Sequence, residues 1–465
     1  MAKFEKQRIE EFTNEEIRSQ PETMASMQQR VHEADQATGM KSAIVYLMVQ
    51  SEEGAEQGID IVVIPGEPQY PPIHRFQPVN LKELSKEVNN FRAGVTNAQR
   101  AKAFKIPAQR LHYVIIRPIT EILTNLGVNH LHLVVDHELQ VIPMSALSNG
   151  SEFLIERFSL SVSPSFSLTQ TTPLNQEEQE VTALGETKFD HARPLSGAGP
   201  EVIDINNIES VIIPEEFLFH LENLKQYLQE QGFEPTIQAQ LENSLVHLNR
   251  IQRILGKAVR YPQELEKVNE ALQVNFGEKP ASQILHIATH GLARGGDKSF
   301  LTTRPGKITI KDLLEMDFSA IEMVVFSACQ TIIDDSSNSP PNLDQDQEFG
   351  ISGAILQQGA ESAIGSFWQV SDMGTMAMMK TFYQILSEKR GLTRAQVLQE
   401  AQLAMMEGRV EFRNNYLVYK PKASAEQPNP KPIVELLPKH LPENWNQTFE
   451  HPYFWSAFEL VGNAY

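Results

Sequence analysis

The sequence predicts an α/β protein, a mostly parallel sheet flanked by helices, and three observations carry that prediction. Gln283 to Ala288, Glu322 to Ser327 and Glu361 to Phe367 are short, near-continuously apolar runs. Text of helix length separates them. Strands buried on both faces of a parallel sheet read this way, whereas a strand with one wet face alternates. Turn residues close the runs, as Thr289-His290-Gly291 and Asp136-His137 do, which is where strand, turn and helix units carry them.

In chain order, residues 1 to about 38 are polar, with Ile9, Phe12, Ile17, Met24, Met27 and Val31 at roughly helical spacing. They predict one or two helices docked on the rest. Ala43 to Val49 and Gly58 to Ile64, separated by a charged turn, predict a hairpin. A helix from about Leu111 to Leu126 stops at Gly127, a strand follows over His130 to Val135, and another lies around Ser161. Polar text at Thr171 to Glu178 marks a domain boundary. A strand over Glu180 to Gly185 opens the second unit, and Ser196 to Phe276 reads as mostly helical, with Pro214 at a helix start. Residues 420 to 446 are Pro-rich and predict an extended, exposed loop, while the aromatic density of His451 to Gly462 requires burial. The organisation expected is a helical segment over 1–40, a first layer over 41–172 and a second domain over 173–465.

The 465 residues hold 40 Lys+Arg against 59 Asp+Glu, a formal net charge of −19. Surplus negative charge repels phosphate backbones and anionic headgroups. No basic patch offsets it, so neither nucleic acid nor membrane is expected as a partner. The N-terminus is charged where a secretory signal is apolar, and no run reaches the ~18 apolar residues that span a bilayer. A cytoplasmic protein is expected. The single cysteine, Cys329, makes neither an internal disulfide nor a multi-thiolate metal site, so it is either packing or chemistry.

A thiol nucleophile needs a base within hydrogen-bond reach and backbone donors aimed at the developing oxyanion. His290 closes one predicted strand and Cys329 another, and the 39 positions between them match one strand-helix-strand crossover. In a parallel sheet, adjacent strand ends would carry imidazole and thiol to the edge where ligands bind. Gly291 and the Cys329 amide are the candidate oxyanion donors. Taken alone, a cysteine at a strand end is usually a small buried hydrophobe. The pairing with His290 is what raises the catalytic reading.

The ordered motifs Ile284 to Gly291, Phe326 to Thr331, Gln358 to Asp372, Thr381 to Tyr383 and His451 to Gly462 resemble the CHAT domain. That domain is a branch of the caspase and separase clan of cysteine peptidases. Leu131 to Asp136, Val141 to Leu147 and Phe153 to Ser165 are similar to the layer that precedes the active half in this family, caspase-like but without a catalytic pair. The resemblance implies His290 as general base, Cys329 as nucleophile, and Gly291 with the Cys329 amide as oxyanion hole. It also implies a wall for the residue before the cleaved bond at Trp368 to Asp372. Asp372 would meet a basic side chain there, with Asp344, Asp346 and Glu348 as weaker acidic candidates. The implied activity is endopeptidase on a protein or peptide substrate, with a regulatory protein partner and no cofactor. A catalytically silent caspase-like scaffold and an esterase using the same pair are the alternatives. The chain departs from the family at Glu348-Phe349-Gly350-Ile351, and it lacks the tetratricopeptide repeats that often precede the domain.

Other features read as structure. His286 lies four residues before His290 on one strand face and reads as a core histidine. His130, His132, Asp136 and His137 resemble a metal cluster, but the family resemblance places the last two in an ordinary strand-end turn. Met373, Met376, Met378 and Met379 suit an irregular core. No nucleophile elbow, phosphate loop or zinc-protease helix is present.

Overall fold

The structure is a computed structural model and describes residues 2–13, 22–51, 56–100, 102–174, 180–185, 283–288, 291–292, 300–302, 307–319, 321–327, 332, 350–389, 391–413, 416–423, 430–436 and 446–465. Two helices, α1 (Ala2–Thr13) and α2 (Met24–Thr38), precede β1 (Ser42–Gln50), β2 (Gly58–Pro65) and β3 (Ile73–Pro78). Then come α3 (Leu81–Val95), α4 (Lys105–Ile115), α5 (Arg117–Asn125), β4 (His130–Val135), α6 (His137–Gln140), α7 (Leu154–Arg157) and β5 (Ser159–Ser163). The second half holds β6 (Glu180–Gly185), β7 (Gln283–Ala288), the small strands β8 (Gly291–Leu292), β9 (Phe300–Thr302) and β10 (Lys307–Thr309), α8 (Ile310–Leu314) and β11 (Met323–Phe326). It continues with α9 (Gly350–Gln357), β12 (Ser362–Ser366), α10 (Asp372–Glu388) and α11 (Arg394–Met406). A small sheet of β13 (Val410–Arg413), β14 (Tyr416–Tyr419), β15 (Ile433–Leu436) and β16 (Asn446–Thr448) follows, then α12 (Pro452–Trp455) and β17 (Phe458–Gly462).

Ten strands form one sheet in the order β3-β2-β1-β4-β5-β17-β12-β11-β7-β6. It contains two parallel runs, β1-β4-β5 and β12-β11-β7-β6. β17 joins them, parallel to β5 at Val461↔Val162 and antiparallel to β12 from Ser362↔Gly462 to Ser366↔Phe458. The mixed α/β sheet flanked by helices agrees with the class expected, and the predicted hairpin is the antiparallel pair β1-β2. Side chains alternate across the sheet as strand geometry requires. Val45, Leu47, Leu133, Val325 and Ile364 share one core with Phe91, Leu111 and Ile119 of α3 to α5 and with Met378 and Phe382 of α10. On the other side Ile44 and Tyr46 pack with Met27 and Val31 of α2, and Val324 and Phe326 with Leu313 of α8 and Ile355 of α9.

Three expectations change. The single helix expected over 111–126 is two helices with Ile116 between them, because Pro118 in the first turn of α5 lacks the N–H that a continuous helix would donate to Val114. Within the loop expected over 420–446, residues 433–436 form β15, paired antiparallel with β14. Pro432 stands just before its first residue, where a missing N–H costs the ladder nothing. The buried aromatic end also contains a strand, β17, at the centre of the sheet. The helices expected between Ser196 and Phe276 lie outside the described residues.

Buried polar groups are partnered in two places that matter for stability. Along β4 and β5, Ser159 Oγ lies 3.0 Å from His130 Nδ1, and Ser161 Oγ lies 3.2 Å from His130 Nε2 and 2.8 Å from His132 Nδ1. Ser163 Oγ lies 2.8 Å from His132 Nε2, so each ring nitrogen of both histidines faces a serine hydroxyl. Asp136 accepts the N–H groups of His137 and Val49 instead of joining them. On α11, Arg394 is fully buried and pairs with Glu322 at 3.2 Å and Glu361 at 3.0 Å, the residues that precede β11 and β12. Among the described residues, no helix is long and apolar enough to cross a membrane.

Two predictions follow from these buried groups. Burial lowers the pKa of His130 and His286 to about 3 and holds that of His132 well below its usual value. Unfolding returns each ring to about 6.5, so the unfolded chain binds protons first as pH falls. The stabilisation is complete above pH 6.5 and declines toward pH 3, by about 2 kcal/mol per histidine at pH 5. Urea denaturation from pH 7.5 to 5 reads this decline, and His132→Gln, with no proton to gain there, should shallow the slope; an unchanged slope would refute the neutral buried ring. Arg394→Ala should lower unfolding free energy by about 3 kcal/mol or more, since it removes the buried cation that two partly buried carboxylates share. Chemical denaturation beside Arg394→Lys measures it.

Candidate active site

The carboxyl ends of β7 and β11 lie side by side because the two strands pair in parallel, with Met323↔Ile284, Val324↔Leu285, Val325↔His286 and Phe326↔Ile287 in register. Beyond the last pair, Ser327 N donates to Ile287 O at 3.0 Å. His290 and Cys329 each follow three residues after a member of that last pair in the sequence, and both lie outside the described residues. So do Asp344, Asp346 and Glu348.

The described chain brackets both candidates. On the thiol side, Ile332 is buried and its N–H donates to Ser366 O at 3.1 Å, at the carboxyl end of β12. The chain therefore leaves the end of β11 and is anchored again at the end of β12 within five residues. On the imidazole side, Gly291 begins β8 opposite Leu301 of β9, in the three-stranded sheet β10-β9-β8. The backbone of this candidate oxyanion donor is thus part of a small antiparallel ladder beside the end of β7.

The wall segment follows β12. Trp368 is 3% exposed, its indole Nε1 donating to Tyr453 O of α12 at 3.1 Å, and its ring stacks on Phe367 with an interplanar angle of 24°. Tyr453 Oη donates in return to Gln369 O at 2.8 Å. Ser371 caps α10 by accepting from Gly374 N at 3.1 Å, which makes Asp372 the first residue of that helix.

Behind the strand ends, His286 is buried in β7 and its Nδ1 lies 2.7 Å from Tyr383 Oη of α10. Burial holds the imidazole neutral, at about 3, and pushes the phenol well above its usual value. The core reading of His286 holds, and Tyr383 is the partner that sequence reasoning left unpaired. The methionines of α10 also fill core: Met378 and Met379 are buried, with Met373 and Met376 packed against them. Sequence reasoning missed Arg394 as well. A lone arginine within an apolar helix, Arg394 to Met406, was the available signal. Among the described residues, no group of three or more His, Cys, Asp or Glu could hold a metal ion.

The family model of the CHAT domain matches residues 105–463, more than three quarters of the chain. No curated protein matches the sequence. Among solved structures, the chain is similar to the Saccharomyces cerevisiae separase in its complex with securin, at 8% identity and a TM-score of 0.44, over 94% of this chain and 30% of that one. It is also similar to the Arg-specific cysteine proteinase gingipain R, at 11% identity and a TM-score of 0.36, over 83% of this chain and 74% of that one. A complex of the pro- and mature domains of Porphyromonas gingivalis RgpB aligns at 11% identity and a TM-score of 0.35, over 83% of this chain and 76% of that one. The chain spans about a third of the length of the separase chains it matches. By a family match that extends over well more than half of its length, the chain belongs to the CHAT domain family.

Proposed function

We propose that the protein is a cysteine endopeptidase acting through His290 and Cys329. The observation that supports this reading most is the parallel register of β7 with β11, whose last pair, Phe326↔Ile287, precedes each candidate by three residues. His290 takes the proton of the Cys329 thiol, and the thiolate attacks the scissile carbonyl carbon. The amides of Gly291 and Cys329 receive the oxyanion. His290 returns the proton to the leaving nitrogen as the C–N bond breaks, and water then resolves the thioester. Trp368, held by α12, forms the floor of the pocket for the residue before the cleaved bond. Asp372, with Asp346 and Glu348, supplies the negative charge that selects a basic side chain there, Arg above Lys because the guanidinium pairs in two places at once. The division into 1–40, 41–172 and 173–465 belongs to the same reading, with the first layer lacking a catalytic pair. The substrate is a protein, a protein partner controls access, and the enzyme works in the cytoplasm.

Fluorogenic peptides ending in Arg, Lys, Leu or Asp test the reading directly. Cleavage of the Arg peptide should fall at least a hundredfold in Cys329→Ala and in His290→Ala, and Asp372→Ala should raise KM for Arg and Lys peptides more than for Leu. No cleavage together with no labelling of Cys329 by an alkylating peptide would sink the peptidase and favour a silent scaffold. Turnover of small esters alone would point to an esterase.

A further inference from the structure

The first half of the sheet has its own crevice at the carboxyl ends of β4 and β5, and α1 fills it with charge. Glu5 is fully buried although it lies in the first turn of a terminal helix. One carboxylate oxygen accepts from Tyr46 Oη at 2.6 Å and from Phe166 N at 3.2 Å. The other accepts from Ser165 Oγ at 2.5 Å, Ser167 Oγ at 2.7 Å and Ser167 N at 3.4 Å. One turn along the same helix face, Arg8 is 1% exposed and donates to Pro164 O at 3.2 Å and Val135 O at 3.1 Å, where β5 and β4 end. Its NH1 lies 3.1 Å from His137 Nε2, which must be the acceptor because a guanidinium has no lone pair to offer.

The crevice is thus a preformed receptor: hydroxyls and amides on one side for a carboxylate, carbonyls and an imidazole on the other for a guanidinium. We propose that it is a binding site for a helix bearing Glu and Arg one turn apart, and that α1 is its tethered, exchangeable occupant. Four features make the occupant exchangeable. The dock is mainly polar, with Ile9 buried and Phe4 half-buried as its apolar anchors. These bonds join each buried charge to neutral donors or acceptors, so they fix register while the hydration restored on release offsets much of their energy. A 12-residue helix is marginal in water by itself. Finally, α2 holds its own place without α1, through Gln28 to Pro65 O and Tyr70 O and Arg30 to Thr169 O. α1 also lies against α9, so exchange is felt in the second half.

The test uses the full chain carrying Glu5→Ala and Arg8→Ala, whose own α1 no longer matches the crevice, with a fluorescent peptide of residues 2–13 added in trans. Anisotropy should show saturable binding, at least tenfold weaker for the peptide with Glu5→Gln and at least tenfold weaker on the unmodified chain, where α1 competes. A folded double variant that does not bind the peptide, or binds the Glu5→Gln peptide equally well, overturns the proposal. Hydrogen exchange on the unmodified chain decides independently of that variant's folding. Amides of α1 should exchange at least a hundredfold faster than those of β4 while remaining protected; exchange only with global unfolding makes α1 a fixed part of the fold and overturns the proposal.

Discussion

The pairing of β17 with β12 is the interaction that the rest of the sheet depends on. β17 stands between the two parallel runs, and it meets β12 over five registered pairs but β5 at one. Its end is held by a constraint that one residue type meets. Gly462 has φ +92°, and a Cβ there would lie 2.5 Å from Glu361 O and 2.9 Å from Leu356 Cδ2. With no Cβ, the strand closes on β12 and Asn463 N reaches Glu361 O at 2.9 Å. Asn463 Nδ2 then bridges Glu361 Oε2 at 3.0 Å and Thr172 O at 2.8 Å, linking the end of the first half to the start of β12. Arg394 closes the same end of the sheet by holding Glu361 and Glu322 together. The amino ends of β11 and β12 are thereby fixed by charge. Their carboxyl ends, on the opposite edge, are left to the candidate site.

The carboxyl ends of the two halves' parallel strands therefore lie on opposite edges of the sheet. In the first, the strands end in Val135 and Ser163, and the polar groups beyond them are satisfied by Glu5 and Arg8 of the chain itself. In the second, the segments beyond β7 and β11 carry an imidazole and the single thiol of the chain. Sheet geometry poses the same need at both ends, since backbone groups at strand ends lose their ladder partners and need new ones. In the first half a handful of side chains on an internal helix meets that need.

The buried strands were legible in the sequence because continuous apolar runs can only be strands with two covered faces or core helix, and their length excluded the latter. His130 to Val135 and Gln283 to Ala288 match β4 and β7 at both ends. β3 was not legible: Ile73-His-Arg-Phe-Gln-Pro78 is an edge strand, half exposed and charged, and edges are protected by the residues that hide them from pattern reading. β17 hid for another reason. Its aromatic text announces burial, but its partners lie about 95 and 300 residues earlier in the chain, and local text carries no register. The α1 dock was similarly invisible, because Glu5 and Arg8 sit in a polar segment where charged residues normally face water. Chemistry was read at one edge of the sheet from the order of motifs, and the register of β7 with β11 gives that order a spatial meaning.

Two histidines four residues apart in the sequence, one within a strand and one beyond its end, differ in position. His286 stands within β7, opposite Val325, bonded to Tyr383 and held neutral by burial. A ring whose pKa lies near 3 carries no proton at pH 7 and gains none from a thiol of ordinary acidity, so it cannot serve as a base. Four residues later, His290 comes after the last residue of β7, Ala288. Past a strand end the backbone leaves the ladder, and the burial that holds a ring within the strand neutral is a property of the strand interior. β7 thus holds His286 as a deeply buried anchor, and the candidate base follows it by four residues, beyond the last residue of the strand. Tyr383 secures the first by tying β7 to α10, the helix that begins at Asp372. The candidate base and the candidate acid of the pocket are therefore attached to elements that one buried hydrogen bond holds together.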